Sequence, residues 1–133
     1  VATRYILAGA PLVATNPDLT FPLEQDVLAP GNGAQVAALE AATGTQAMIV
    51  GKPAPPLYQQ ALRQMRTAPD ETLVIGDRLD TDIFGGVRLG MPTALVLTGI
   101  SRREELDQSP IRPTAVFDGL PELVRAWRAA CSR

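Results

Sequence analysis

The chain has 133 residues, 46% of them apolar and 20% charged, with a formal net charge of −2. That is one domain's worth of chain, enough to bury roughly two-thirds of its unfolded surface if compact. The near-neutral balance, with no basic run, argues against a nucleic-acid partner; the longest apolar stretches are far too short to span a bilayer.

In chain order, strand and helix signals alternate. Residues 2–8 read as the end of a helix closed by Gly9, "PLVAT" (11–15) as a short buried strand, and "NPDLTFP" as turn and loop. The Ala-rich segment from Asn32 reads as a helix ending at Gly44, and "QAMIV" (46–50) as a strand. Pro55 and Pro56 suit a helix start, with Leu57, Ala61, Leu62 and Met65 as its apolar stripe. "TLVI" (72–75) and "TALVL" (93–97) read as apolar strands around one helix, about 81–89, closed by Gly90. "SRRE" (101–104) has the spacing of a capping box, "TAVF" (114–117) reads as a strand, and "PELVRAWRAACSR" as a proline-started terminal helix. Strands buried on both faces and alternating with helices imply a parallel α/β sheet, whose ligands sit beyond the carboxyl ends of the strands.

The chemistry is bounded by what is missing. Histidine is absent, which removes Ser-His-Asp and Cys-His nucleophile systems and the usual zinc sites. The single cysteine, Cys131, excludes an internal disulfide framework, and with no secretory leader pattern the expected location is the cytoplasm. The chain opens on Val1 rather than Met, as though cut from something longer. Catalysis, if present, falls to carboxylates, lysine and a hard metal ion.

Two loops hold those groups. In "TLVIGDRLDTDIFGG" an apolar strand runs into Asp77, Asp80 and Asp82. Aspartates in loops are most often solvated turn residues. Here, however, Gly76 lets the backbone pass close to a ligand, and a helix starting near Thr81 offers free N–H groups. Three carboxylates so close repel one another unless a cation, a lysine or protonation offsets them. Lys52 in "VGKPAP" is the only lysine in the chain. Lysines are mostly solvated surface charges, but this one follows an apolar strand directly and precedes a proline-started helix. As a compact point charge it suits a phosphate oxygen or a carboxylate.

With those residues in view, "GKPAPPLYQQAL" followed by "VIGDRLDTDIFGGVRLGMPTALVLTGI" resembles the third and fourth motifs of haloacid dehalogenase (HAD) superfamily phosphatases, in the 4-nitrophenylphosphatase and NagD-like branch. The upstream "GAPLVATNPDLTFP" and "LAPGNGAQVAALEAATG" are similar to the second half of that branch's cap, so the match runs from about Arg4 to Leu123. The resemblance implies a Rossmann-like parallel sheet with flanking helices, the C-terminal half of a HAD core, over residues 48–133, and part of an α/β cap domain over residues 1–47. It implies that Asp77 binds Mg²⁺, that Asp82 supports the site and helps hold Lys52, and that Lys52 contacts the nucleophilic carboxylate and the phosphoryl group. Asn16 and Asp18, on a cap loop, would face the substrate. The implied activity is Mg²⁺-dependent hydrolysis of a small phosphate monoester, such as a sugar phosphate or nucleotide monophosphate, through an aspartyl-phosphate.

The sequence departs from that family at its first motif, a strand ending in Asp-x-Asp-Gly-Thr that supplies the nucleophile. The one Asp-x-Asp here, Asp80 and Asp82, lies inside the fourth motif and is followed by Ile83 and Phe84 rather than a glycine turn. The second motif has only a superficial match at Thr15, which fits the cap loop better. The sequence therefore reads as the C-terminal portion of a phosphatase, inert by itself, with the strand at 72–75 deprived of a neighbour and prone to homo-oligomer formation through its exposed edge. Two other readings compete with this one. A response-regulator receiver would place its lysine near the last strand, whereas Lys52 comes first; a non-catalytic interaction or structural module derived from such a phosphatase would keep the same pattern.

Overall fold

The structure, a computed structural model, describes residues 1–24 and 27–132, without the side chain of Pro22. The chain forms two compact units, Val1–Pro56 and Leu57–Arg133.

The first unit begins with helix α1 (Ala2–Leu7) and strand β1 (Val13–Ala14). The segment expected to be turn and loop then contains a strand, β2 (Thr20–Pro22), paired antiparallel with β3 (Leu28–Pro30). Proline and threonine in "LTFP" gave a turn-like composition, but cross-strand pairing of Phe21 with Ala29 outweighs it. Helix α2 (Asn32–Thr43) follows and closes at Gly44 as its sequence predicts. Strand β4 (Met48–Ile49) pairs parallel with β1, in the register Val13↔Met48 and Ala14↔Ile49. β1 is only half the buried strand that its sequence suggested: Ala14 is buried and Val13 exposed.

The second unit contains most of helix α3 (Pro55–Met65), which starts at its prolines as expected. Its expected stripe needs correction. Leu57, Ala61 and Met65 are exposed and Leu62 half-buried, and the residue α3 buries is Tyr58. A sheet follows in the order β5 (Val74–Gly76), β6 (Thr93–Val96), β7 (Ala115–Phe117), all parallel. The β5-to-β6 connection is not one helix over 81–89. A π-helical turn, Leu79–Ile83, leads into a short helix α4 (Phe84–Arg88), and Gly90 takes a positive φ of 71° before β6. Helix α5 (Glu105–Gln108) lies between β6 and β7, and α6 (Leu120–Cys131) closes the unit. Of the segment expected as the terminal helix, Arg133 lies outside the described residues.

Only β6 is buried along its whole length, because it alone in this sheet has a strand on each side. Leu95 packs with Leu79 and Ile83 on one face, while Ala94 and Val96 pack with Leu123 on the other. Burying a side chain such as Leu95 or Ile83 stabilises by about 1.5–3 kcal/mol relative to exposure. This core therefore anchors the π-helical turn that carries Asp80 and Asp82. Among the described residues β5 pairs with β6 alone, and its Ile75 is 41% exposed, so the expectation of strands buried on both faces does not hold there.

Candidate active site

Parallel strands place their carboxyl ends together, and in each unit such an end carries the residues that the sequence singled out. In the first unit β1 and β4 are neighbours, so the segments 15–18 and 51–53 leave the pair from the same end. Val50 N–H donates to the Ala14 carbonyl at 2.9 Å, and a Cβ on Gly51 would lie 1.7 Å from the Thr15 carbonyl oxygen. Only glycine fits this approach, and it delivers Lys52 as an exposed residue immediately after it. Asn16 and Asp18 form one turn, with Asp18 N–H donating to Asn16 Oδ1 at 3.1 Å. The turn is fastened to α2: Gly33 N–H donates to the Asp18 carbonyl at 2.8 Å, and Asn32 Nδ2 to the Asn16 carbonyl at 2.7 Å. The first of these bonds satisfies a backbone donor at the start of α2 that no turn of the helix itself can reach. Asn16 and Lys52 are thus brought to one end of one strand pair.

In the second unit Asp77 follows β5 directly and is half-buried. Its Oδ2 accepts a hydrogen bond from Ile100 N–H at 3.0 Å. A Cβ on Gly99 would lie 2.0 Å from that same oxygen, so the turn after β6 closes on the Asp77 carboxylate with no room for a side chain. Asp82 is 6% exposed, and its Oδ2 accepts from Arg78 N–H at 3.2 Å. It folds back over Gly76, where a Cβ would stand 2.2 Å from its own Cβ. Asp80 has a different fate, exposed and paired with Arg78 at 2.9 Å. The three aspartates therefore separate into a half-buried carboxylate at the strand end, a buried one that caps the loop, and a surface one neutralised by arginine. That division answers the repulsion which their spacing raised. The free N–H groups expected at Thr81 are not at a helix start, because the helical turn already begins at Leu79.

Two residues that the sequence does not single out as part of the site hold this loop. Tyr58 is 8% exposed, and its hydroxyl lies 3.1 Å from the carbonyls of both Thr81 and Asp82. Burial, and then the nearby negative charge of Asp82, push its phenol up to about 12. A Cβ on Gly85 would meet that hydroxyl at 2.3 Å, so the ring is seated directly on the α4 backbone. Ser101 is 4% exposed; its Oγ accepts from Leu79 N–H at 3.0 Å while its own N–H donates to the Asp77 carbonyl at 2.9 Å. This overturns the capping box expected at "SRRE": α5 starts four residues later than Ser101, whose hydroxyl is committed to the aspartate loop. The available signal for Ser101 was its position just beyond the strand that neighbours β5.

Mg²⁺ demands hard oxygen donors and is usually bound by one or two carboxylates together with substrate phosphate oxygens and waters. Among the described residues no group of three or more His, Cys, Asp or Glu side chains stands close enough to hold an ion alone. The donor chemistry of Asp77 fits a shared magnesium site to which this segment gives one carboxylate, and does not fit a dedicated protein cage.

The family model for HAD-hydrolase-like proteins matches residues 49–123, from β4 through the start of α6. The chain belongs to the HAD-like hydrolase family. Its relatives include a dihydroxyacetone phosphatase of Corynebacterium glutamicum, 39% identical over 95% of this chain and 46% of the relative. Another is the 5'-nucleotidase YutF of Bacillus subtilis, 40% identical over 87% of this chain and 45% of the relative. Among solved structures, the p-nitrophenyl phosphatase of Archaeoglobus fulgidus superimposes with a TM-score of 0.83 and 38% identity, covering 94% of this chain and 49% of that one. NagD of Escherichia coli superimposes with a TM-score of 0.77 and 36% identity, over 89% of this chain and 46% of that one. This HAD-family chain thus spans about half the length of the relatives it matches. Its mixed α/β architecture of parallel sheets with flanking helices is theirs.

Proposed function

We propose that this chain is the part of a Mg²⁺-dependent HAD phosphatase that carries the lysine and the acidic loop of the active site, and that the protein containing it hydrolyses small phosphate monoesters. The observation that carries the reading is the half-buried Asp77 at the carboxyl end of β5, its carboxylate held by Ile100 N–H beside the buried Asp82. Relatives named for dihydroxyacetone phosphate, nucleotide, acid sugar phosphate and nitrophenyl phosphate hydrolysis support the substrate class.

In this reading residues 1–47 belong to the cap and 48–133 to the core, with Asn16 and Asp18 facing the substrate. Asp77 supplies an oxygen to the metal, and Asp82 holds the loop that presents it. Lys52 supplies a fixed positive charge to the phosphoryl oxygens, where charge grows in the transition state. Magnesium, when bound, polarises the phosphoryl group as a Lewis acid. The nucleophilic carboxylate is not among these 133 residues, since the only Asp-x-Asp is Asp80–Asp82 and those side chains are committed to Arg78. The chain by itself is accordingly inert.

The test is hydrolysis of 4-nitrophenyl phosphate by a longer protein containing this segment and by the 133-residue chain. Turnover by the longer protein that disappears on chelation with EDTA and returns with Mg²⁺, with none from the isolated chain, is the expected result. Activity indifferent to EDTA overturns the metal, and turnover by the chain overturns the missing nucleophile. For the isolated chain the open edge of β5 supports self-association. Light scattering over a concentration series should show a dimer or larger, and a monodisperse monomer would refute it.

A further inference from the structure

We propose that Ser101 is a positioning residue for Asp77: it pins the main chain that leaves the aspartate and thereby sets the direction of its carboxylate. The inference rests on the reading of Asp77 as a metal ligand, but its observations are independent of any metal. Ser101 holds the loop at two points, its N–H on the Asp77 carbonyl at 2.9 Å and its Oγ under Leu79 N–H at 3.0 Å. Those bonds flank Arg78, so the main chain is held at the Asp77 carbonyl and again at the second amide after it. The preceding residue of the same turn, Ile100, gives its N–H to Asp77 Oδ2, and Gly99, having no side chain, lets the turn lie against that oxygen. One three-residue turn after β6 thus fixes the main chain and the side chain of Asp77 together.

The hydroxyl is the part of Ser101 that the fold does not otherwise need. It is buried, it accepts from the equally buried Leu79 amide, and it makes no cap for α5. Removing it leaves a buried donor without its acceptor, which costs the desolvation of that amide and favours a shift of the loop. A metal site is intolerant of such a shift, because a supporting group mispositioned by a fraction of an ångström loosens the ligand it orients.

The experiment compares Ser101→Ala, Ser101→Thr and Asp77→Ala in a longer protein containing this segment, with two readouts. The first is the ¹³C resonance of the Asp77 carboxyl in metal-free protein, which reports its hydrogen bond. The second is Mn²⁺ affinity measured by electron paramagnetic resonance. Ser101→Ala should move the Asp77 resonance toward that of a solvated carboxylate and weaken Mn²⁺ binding by about tenfold, the scale of one lost buried hydrogen bond. Ser101→Thr, which keeps the acceptor, should restore both. Should the alanine variant fail to fold, Ser101→Cys keeps a side chain of similar size with a weak acceptor and carries the same comparison. An Asp77 resonance unmoved in the variant without the hydroxyl overturns the proposal. If Asp77→Ala binds Mn²⁺ as tightly as the unaltered protein, the metal reading of Asp77 fails, and the carboxyl resonance alone decides the role of Ser101.

Discussion

The loops that follow β4 and β5 each carry charge off the carboxyl end of a parallel strand, and they are held in opposite ways. The loop bearing Lys52 is positioned by backbone against backbone: Val50 N–H on the Ala14 carbonyl and Gly51 pressed on the Thr15 carbonyl. Its lysine is exposed at the end of a short, stiff approach. The loop bearing Asp77 is positioned by side chains, some its own and some distant in sequence. Asp82 caps Arg78 N–H, Tyr58 meets the carbonyls of Thr81 and Asp82, and Ser101 grips Asp77 and Leu79. A point charge on a flexible stem needs only to be delivered near its target, whereas a carboxylate that ligates a hard cation must also be aimed. The difference in support matches the tasks proposed for the two residues.

If that contrast is right, substitutions in the two loops should fail differently. Lys52→Met should leave the fold intact and lower phosphatase turnover by at least ~10²-fold, the scale of losing one preorganised charge at the reacting group. Lys52→Arg should recover little of it, because a planar fork does not replace a point charge. Full activity in the arginine variant would mean that net charge alone matters and that the stiff approach through Gly51 is irrelevant. Steady-state kinetics with circular dichroism separate these outcomes.

Tyr58→Phe addresses the other loop and should act on stability first. Losing the hydroxyl beside two carbonyls costs about 0.5–1.5 kcal/mol. The pH dependence carries the sharper signature. The Tyr58 phenol is raised from 10.0 to about 12, so the folded state holds its proton more tightly than the unfolded chain does. The resulting stabilisation is fully present below pH 10 and is lost as pH rises from 10 to about 12. Urea denaturation should show that decline in the unaltered chain and a shallower one in the phenylalanine variant. Identical alkaline profiles would remove Tyr58 from the support of the loop.

Asp80→Ala should do least. Its pair with Arg78 is exposed, and such pairs contribute at most about 1 kcal/mol. Stability within ~0.5 kcal/mol and turnover within about twofold are expected. A large loss of activity would show that the aspartates do not divide as the structure divides them.

The parallel sheet, α2 with its glycine end, the proline start of α3 and the placement of Lys52 and Asp77 at strand ends were all legible, because each depends on residues adjacent in sequence. What escaped depends on partners elsewhere. Thr20–Pro22 looked like a loop because nothing local reveals that Leu28–Pro30 pairs with it. Tyr58 stood in a helix whose period favoured Leu57 and Met65, and the groups that make it the buried residue of α3 lie more than twenty positions away. Ser101 carried a genuine local signal, capping-box spacing, that lost to a longer-range one: the buried amide of Leu79, which takes the Ser101 hydroxyl as its acceptor. Short-range chemistry in this chain identifies the groups of the candidate site, and long-range hydrogen bonds determine where they point.

The central claim, that this segment gives a phosphatase its metal-binding carboxylate, is tested most directly by Asp77→Ala in a longer protein containing the segment, assayed on 4-nitrophenyl phosphate across a Mg²⁺ titration. Loss of at least ~10²-fold in turnover, not recovered at any Mg²⁺ concentration, is the predicted result for removing a direct ligand of the ion. Activity retained within about threefold, at an unchanged Mg²⁺ requirement, would contradict it.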